Sequence, residues 1–97
     1  MKDFVYLSDL FDLYGSLLTD KQQLYFKDYY FNNLSYGEIG EKYGTSRNAI
    51  FNQIKIIEEK LKLFEKKLQL YRKKQIINDI IKIESNAKIK KELENLL

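Results

Sequence analysis

The chain has 97 residues, which suffices for one modest domain and not for two. Hydrophobic residues make up 44% and charged ones 32%, a globular rather than a disordered balance. Cysteine and histidine are both absent, which excludes disulfides, thiol chemistry, zinc sites and the usual imidazole-based catalytic arrangements.

Carboxylates alone can bind a hard cation, but no loop gathers them, so no catalytic residue, metal ligand or cofactor is assigned and no small-molecule substrate is expected. The chain reads as a non-enzyme. The start, Met1-Lys2-Asp3-Phe4, lacks the apolar stretch of a signal peptide. No run approaches the roughly 18 apolar residues of a membrane span. A cytoplasmic protein with no membrane partner is expected. Proline is absent and glycines number four, so long helices are permitted. The net charge of +3 allows a nucleic-acid partner without demanding one.

In chain order, residues 8–18 place Leu10, Phe11, Tyr14, Leu17 and Leu18 at helical spacing, interrupted by Gly15. Thr19 and Gln22 fit a capping box opening a second helix from Asp20 to Phe31. That helix is heavily aromatic, with Tyr25, Phe26, Tyr29, Tyr30 and Phe31, and stops at Asn32-Asn33. The aromatics are expected in the core; stacking on bases would need them in a basic, open groove. Ser35 and Glu38 form a further capping box, and the third helix runs about two turns to Tyr43 and Gly44. Ser46 caps a fourth helix beginning at Arg47.

The fourth helix carries Ile50, Ile54, Ile57, Leu61, Phe64, Leu68 and Tyr71 in steps of four and three, a heptad seam. Glu58 and Glu65 flank it where coiled coils place pairing charges, with Lys60, Lys67 and Lys74 opposite. Ile54, Ile57, Leu61, Phe64 and Leu68 are its helix-packing or dimer positions. A second apolar line, Ile56, Leu63, Leu70 and Ile77, implies that the helix is sandwiched between two partners. The tail adds the stripes Ile76, Ile80, Ile83 and Ile89, Leu93, Leu96, separated by a helix stop at Ser85-Asn86. A helix break between Tyr71 and Lys73 is a further expectation. Residues 1–70 are read as a helix-turn-helix domain with its motif at 35–55, and 71–97 as a helical extension packing on that domain or on a partner subunit.

The segment LSYGEIGEKYGTSRNAIFNQI, Leu34 to Ile54, meets the requirements of a helix-turn-helix. Ile39, Tyr43 and Ile50 can close the core between its two helices. Gly40 is small where they cross, Gly44 supplies a positive φ, and Ser46 starts the projecting helix.

The stretch LFDLYGSLLTDKQQLYFKDYYFNNLSYGEIGEKYGTSRNAIFNQIKIIEEKL strongly resembles the YlxM-like family of small bacterial proteins, over most of Leu10 to Leu70. The resemblance implies an all-α fold. Its wingless helix-turn-helix would be like the fourth region of bacterial sigma factors, followed by a long fourth helix and C-terminal helices. It also implies nucleic-acid binding and a part in, or regulation of, the signal recognition particle pathway, since family members are typically encoded beside that particle's genes.

If the second motif helix enters a major groove, Arg47, Asn48, Phe51, Asn52 and Lys55 reach base edges, with Thr45 and Ser46 near phosphates. Arg47 suits guanine and the asparagines suit adenine. Against this, Glu38, Glu41, Glu58 and Glu59 dilute the positive charge around two cations. The larger basic runs, Lys66-Lys67, Arg72-Lys73-Lys74 and Lys88-Lys90-Lys91, read as solvated faces. The leading expectation is a regulator that binds DNA, or a structured RNA, as a homodimer. The alternative is a module that docks on a protein, such as a signal recognition particle component, without touching DNA.

Overall fold

Most helix starts in this chain are set by one short polar side chain that takes an orphan first-turn amide. Asp3 Oδ1 accepts from the Tyr6 amide at 2.9 Å and opens α1, Phe4–Tyr14. Thr19 and Gln22 close a full capping box on α2, Asp20–Tyr30, and Ser35 with Glu38 does the same for α3, Tyr36–Tyr43. Ser46 Oγ accepts from the Ala49 amide at 3.0 Å and starts α4, Arg47–Leu68. Two further helices follow, α5 at Leu70–Ile83 and α6 at Ala87–Glu94, the latter capped by Asn86. The computed structural model describes residues 3–97; Met1 and Lys2, which open the polar N-terminus, lie outside them. Every element among the described residues is helical.

Helix α4 is the hub, packing on α1, α2 and α3. Its Ile50, Ile54, Ile57 and Leu61 are fully buried in one cluster with Leu10, Tyr14, Phe26 and Ile39. Phe26 stacks between Phe11 and Tyr30, with centroids 4.3 and 4.1 Å away, so the middle of the aromatic helix is core. Phe31, at its end, is exposed.

The first helix is displaced from its expected position. It starts at Phe4 rather than Ser8, and after Tyr14 the chain tightens into a short 3₁₀ turn, Gly15–Leu17. A Cβ at Gly15 would stand 3.0 Å from the Phe11 ring, so the glycine makes room for a side chain of its own helix, not for a neighbouring helix.

The heptad seam divides in two. Ile54, Ile57 and Leu61 are buried within the single chain, and Phe64 is half-buried against Tyr14; these positions are occupied by the chain's own α1–α3. Leu68 is exposed. The helix ends one residue later, because Gln69 adopts φ 55°, earlier than the break expected at residues 71–73.

Glu58 and Glu65 are not the solvent-facing pairing charges of a coiled coil. Glu58 is buried and accepts from the Tyr30 hydroxyl. Glu65 accepts from the Tyr14 hydroxyl at 2.6 Å and from the Tyr71 and Arg72 amides at 2.9 and 3.1 Å. Tyr14 Oη in turn accepts from the Leu70 amide at 3.0 Å. Helix α5 has no side-chain cap of its own at Gln69, so this carboxylate from the preceding helix serves its first turn.

Beyond that junction burial ends. Neither α5 nor α6 contains a buried residue, and Ile76, Ile80, Ile83, Ile89 and Leu96 are exposed. The radius of gyration is 17.0 Å with extents of 55 × 26 × 24 Å. A compact chain of this length would have a radius of about 12.5 Å. Helices α5 and α6 therefore form an arm reaching away from the α1–α4 body, joined to it through α1 and the Glu65 carboxylate of α4.

Candidate nucleic-acid interface

The turn between α3 and α4 is built from two glycines with different tasks. Gly44 sits at φ 68°, a left-handed conformation that ends α3. Gly40 lies under the turn itself: a Cβ there would be 2.6 Å from the Thr45 carbonyl oxygen. The Thr45 amide also donates to the Gly40 carbonyl at 2.9 Å. A backbone-on-backbone contact of this kind fixes the angle at which α4 leaves α3.

One buried carboxylate braces the hairpin from below. The Asp28 carboxylate, 2% exposed, accepts from the Tyr43 hydroxyl at 2.6 Å, from Asn32 Nδ2 at 2.9 Å and from Lys42 Nζ at 3.1 Å. Burial pushes its pKa up, but the hydrogen bonds from Tyr43, Asn32 and Lys42 outweigh burial and hold it below the usual carboxylate range. Lys42 thus ties α3 to α2.

The expected contact residues Thr45, Ser46, Arg47, Asn48, Phe51, Asn52 and Lys55 are all exposed. They do not form one cluster. Thr45 and Asn52 line a hollow on the α2 side, together with Thr19 and Lys21. Arg47 lines another on the α3 side, its guanidinium 5.6 Å from the centre of the Tyr36 ring, and Phe51 meets the same ring edge-on at 5.4 Å. Asn48, Asn52 and Lys55 follow one another along a single helical ridge. Ser46 points its oxygen at the Ala49 amide and acts as a cap.

Tyr36 and Lys21 belong to this surface and were not anticipated. Tyr36 stands eleven positions before Arg47, a separation with no short-range signature, and Lys21 lies outside the motif in sequence. Glu38, exposed on the α3 side, is held below the usual carboxylate range by the Ser35 amide, so this flank carries an ionised acid beside Arg47. No cluster of groups able to hold a metal ion occurs among the described residues. No helix among them is long and apolar enough to cross a membrane.

Comparison with known proteins agrees with this geometry. A family model described as "Putative helix-turn-helix protein, YlxM / p13 like" matches residues 1–97. The UPF0122 protein YlxM of Bacillus subtilis (strain 168) is 40% identical over 92 residues, covering 91% of this chain and 84% of that protein. A UPF0122 protein of Thermoanaerobacter sp. (strain X514) is 42% identical over 93 residues, covering 95% of this chain and 80% of its own length.

Proposed function

Since the chain belongs to the YlxM/p13-like family of helix-turn-helix proteins, we propose that it is a nucleic-acid-binding regulator rather than an enzyme. It would read a duplex with the first turns of α4. The observation that carries this reading is the exposed start of α4, held at a fixed angle by the Gly40–Thr45 backbone contact. Arg47, Asn48, Asn52 and Lys55 supply the groups that recognise base edges and phosphates. The family resemblance adds the signal recognition particle pathway as the process served, with DNA or the particle's RNA as the target.

The reading extends to a homodimer closed by the C-terminal arm, residues 71–97. An arm that exposes Ile76, Ile80 and Ile83 gains stability by covering them, and a twofold pair would present two copies of α4. Half-sites about 34–36 Å apart would then be matched. Sedimentation velocity is expected to show a dimer that Ile80→Asp converts to a monomer. A second reading, a docking module for another protein, draws on the same exposed arm and on Ile56 and Leu63 of α4. A monomeric wild-type chain without nucleic-acid affinity would favour it.

The direct test is a salt titration of binding to mixed genomic DNA fragments and to signal recognition particle RNA. Arg47→Ala and Lys55→Ala should each flatten the logarithmic salt slope by about 1 while leaving the melting temperature unchanged. Binding that is absent at low salt, or indifferent to both substitutions, refutes the assignment of α4.

A further inference from the structure

We infer that the hollow between the start of α3 and the start of α4 receives a single unpaired nucleobase. This deepens the nucleic-acid reading above and rests on it. The hollow has a volume of about 460 Å³ and is lined by Phe4, Tyr29, Tyr36, Glu38 and Arg47 among others. That is within the roughly 300–1,000 Å³ of small-molecule sites.

Its walls are largely aromatic, formed by Phe4, Tyr29 and Tyr36. Phe4, Tyr29 and Tyr36 form a run with centroid separations of 5.9 and 4.8 Å, and Phe51, outside the lining, continues it by meeting Tyr36 edge-on at 5.4 Å. The run borders the buried aromatic stack around Phe26 and joins it through Tyr30, which lies 4.8 Å from Phe4 and 5.3 Å from Tyr29. At the two ends of the outer run Phe4 and Phe51 remain 45% and 41% exposed. Rings left open to water beside a cation are the arrangement on which bases stack. Arg47 supplies the cation, placed to meet the phosphate of the same nucleotide. Glu38 supplies an ionised acceptor, positioned by its bond from the Ser35 amide at 2.9 Å, for the ring or amino N–H groups of a base.

An independent observation concerns Gly37. A Cβ there would meet only Ser35 Oγ, at 3.9 Å, and the residue has no positive φ. Neither packing nor backbone conformation within the chain calls for glycine in the first turn of an eight-residue helix, which glycine weakens. Gly37 lines the hollow, and its missing side chain leaves the backbone open to close approach from outside. The first turns of α4 carry only Arg47 and Lys55 as cations before Glu58 and Glu59; phosphate attraction there is weak, and stacking supplies affinity that does not depend on it. A base can enter only out of its stack, so the ligand is a bulged or single-stranded nucleotide in DNA or RNA.

The test uses the full chain and two labelled hairpins, one fully paired and one carrying a single bulged 2-aminopurine, each made as DNA and as RNA. The bulged hairpin should bind about tenfold more tightly, within the range of one stacked base. Its fluorescence should be quenched on binding. Gly37→Ala, which places a methyl group on the floor of the hollow without straining the helix, should bring the preference close to one while leaving the paired hairpin's affinity unchanged and the melting temperature equal to or above that of the wild type. Phe4→Leu should reduce both preference and quenching. Equal affinity for the two hairpins overturns the base site alone, as does a preference that survives both substitutions. Failure of the wild-type chain to bind either hairpin overturns the nucleic-acid reading and this site with it.

Discussion

Substituting Gly40 with alanine places a methyl group 2.6 Å from the Thr45 carbonyl oxygen and 3.3 Å from the Ser46 carbonyl carbon. Both obstacles are backbone, so no side-chain rotation relieves them. The turn is also tethered at that point, because the Thr45 amide donates to the Gly40 carbonyl at 2.9 Å. Relief therefore requires α3 and α4 to separate. Overpacking of this sort costs about 1–3 kcal/mol, and weakening the tether adds about 0.5–1.5 kcal/mol. Alanine returns about 1 kcal/mol of helix propensity. The net destabilisation is about 0.5–3.5 kcal/mol, which lowers the melting temperature of a chain this size by roughly 2–28 °C. Thermal and urea unfolding followed by far-UV circular dichroism measure it, with Gly37→Ala as the companion variant. The two glycines lie three residues apart in the same helix, so propensity alone predicts similar effects. Gly40→Ala melting at or above the wild-type temperature would refute the argument that this glycine sets the angle of the motif.

Other consequences concern the acids that accept long-range hydrogen bonds. Asp28 has a pKa below its unfolded value, so its contribution to stability is fully present above the ordinary carboxylate range and is lost as pH falls through the folded value. Asp28→Asn should therefore flatten the acid limb of a urea-midpoint-against-pH curve; identical limbs in variant and wild type would show that Asp28 is not the group being titrated. Glu65→Ala removes the acceptor for the Tyr14 hydroxyl and for two first-turn amides of α5, a loss of about 1–3 kcal/mol. Amide exchange should accelerate across residues 70–83 and stay unchanged across 47–61, and equal protection of α5 in both proteins would contradict the cross-helix cap.

Much of this architecture is local, and local chemistry is legible in the amino-acid sequence. Thr19 with Gln22, Ser35 with Glu38, and Ser46 with Ala49 act across three residues, so the starts of α2, α3 and α4 were readable from spacing alone. Gly44 ends α3 for a reason intrinsic to its own backbone. The helix-turn-helix follows from those signals and from the isoleucines that face its core.

What tertiary structure decided are the matters that hang on distant partners. A heptad pattern states which residues share a face of α4, not what covers that face. Folding gives Ile54, Ile57 and Leu61 to the chain's own α1–α3 and leaves Ile56 and Leu63 outside. The roles of the glutamates were equally hidden, because Glu58 meets Tyr30 from 28 residues away and Glu65 meets Tyr14 from 51. The end of α4 at Gln69 carries no glycine or proline signal; it coincides with a junction where Leu70 bonds Tyr14, 56 residues earlier. The hollow at Arg47 likewise exists only because α1 brings Phe4 beside Tyr29 and Tyr36. Caps and turns are satisfied within a few residues, so sequence determines them. Burial and long-range hydrogen bonds depend on which surfaces meet, and only the assembled fold determines that.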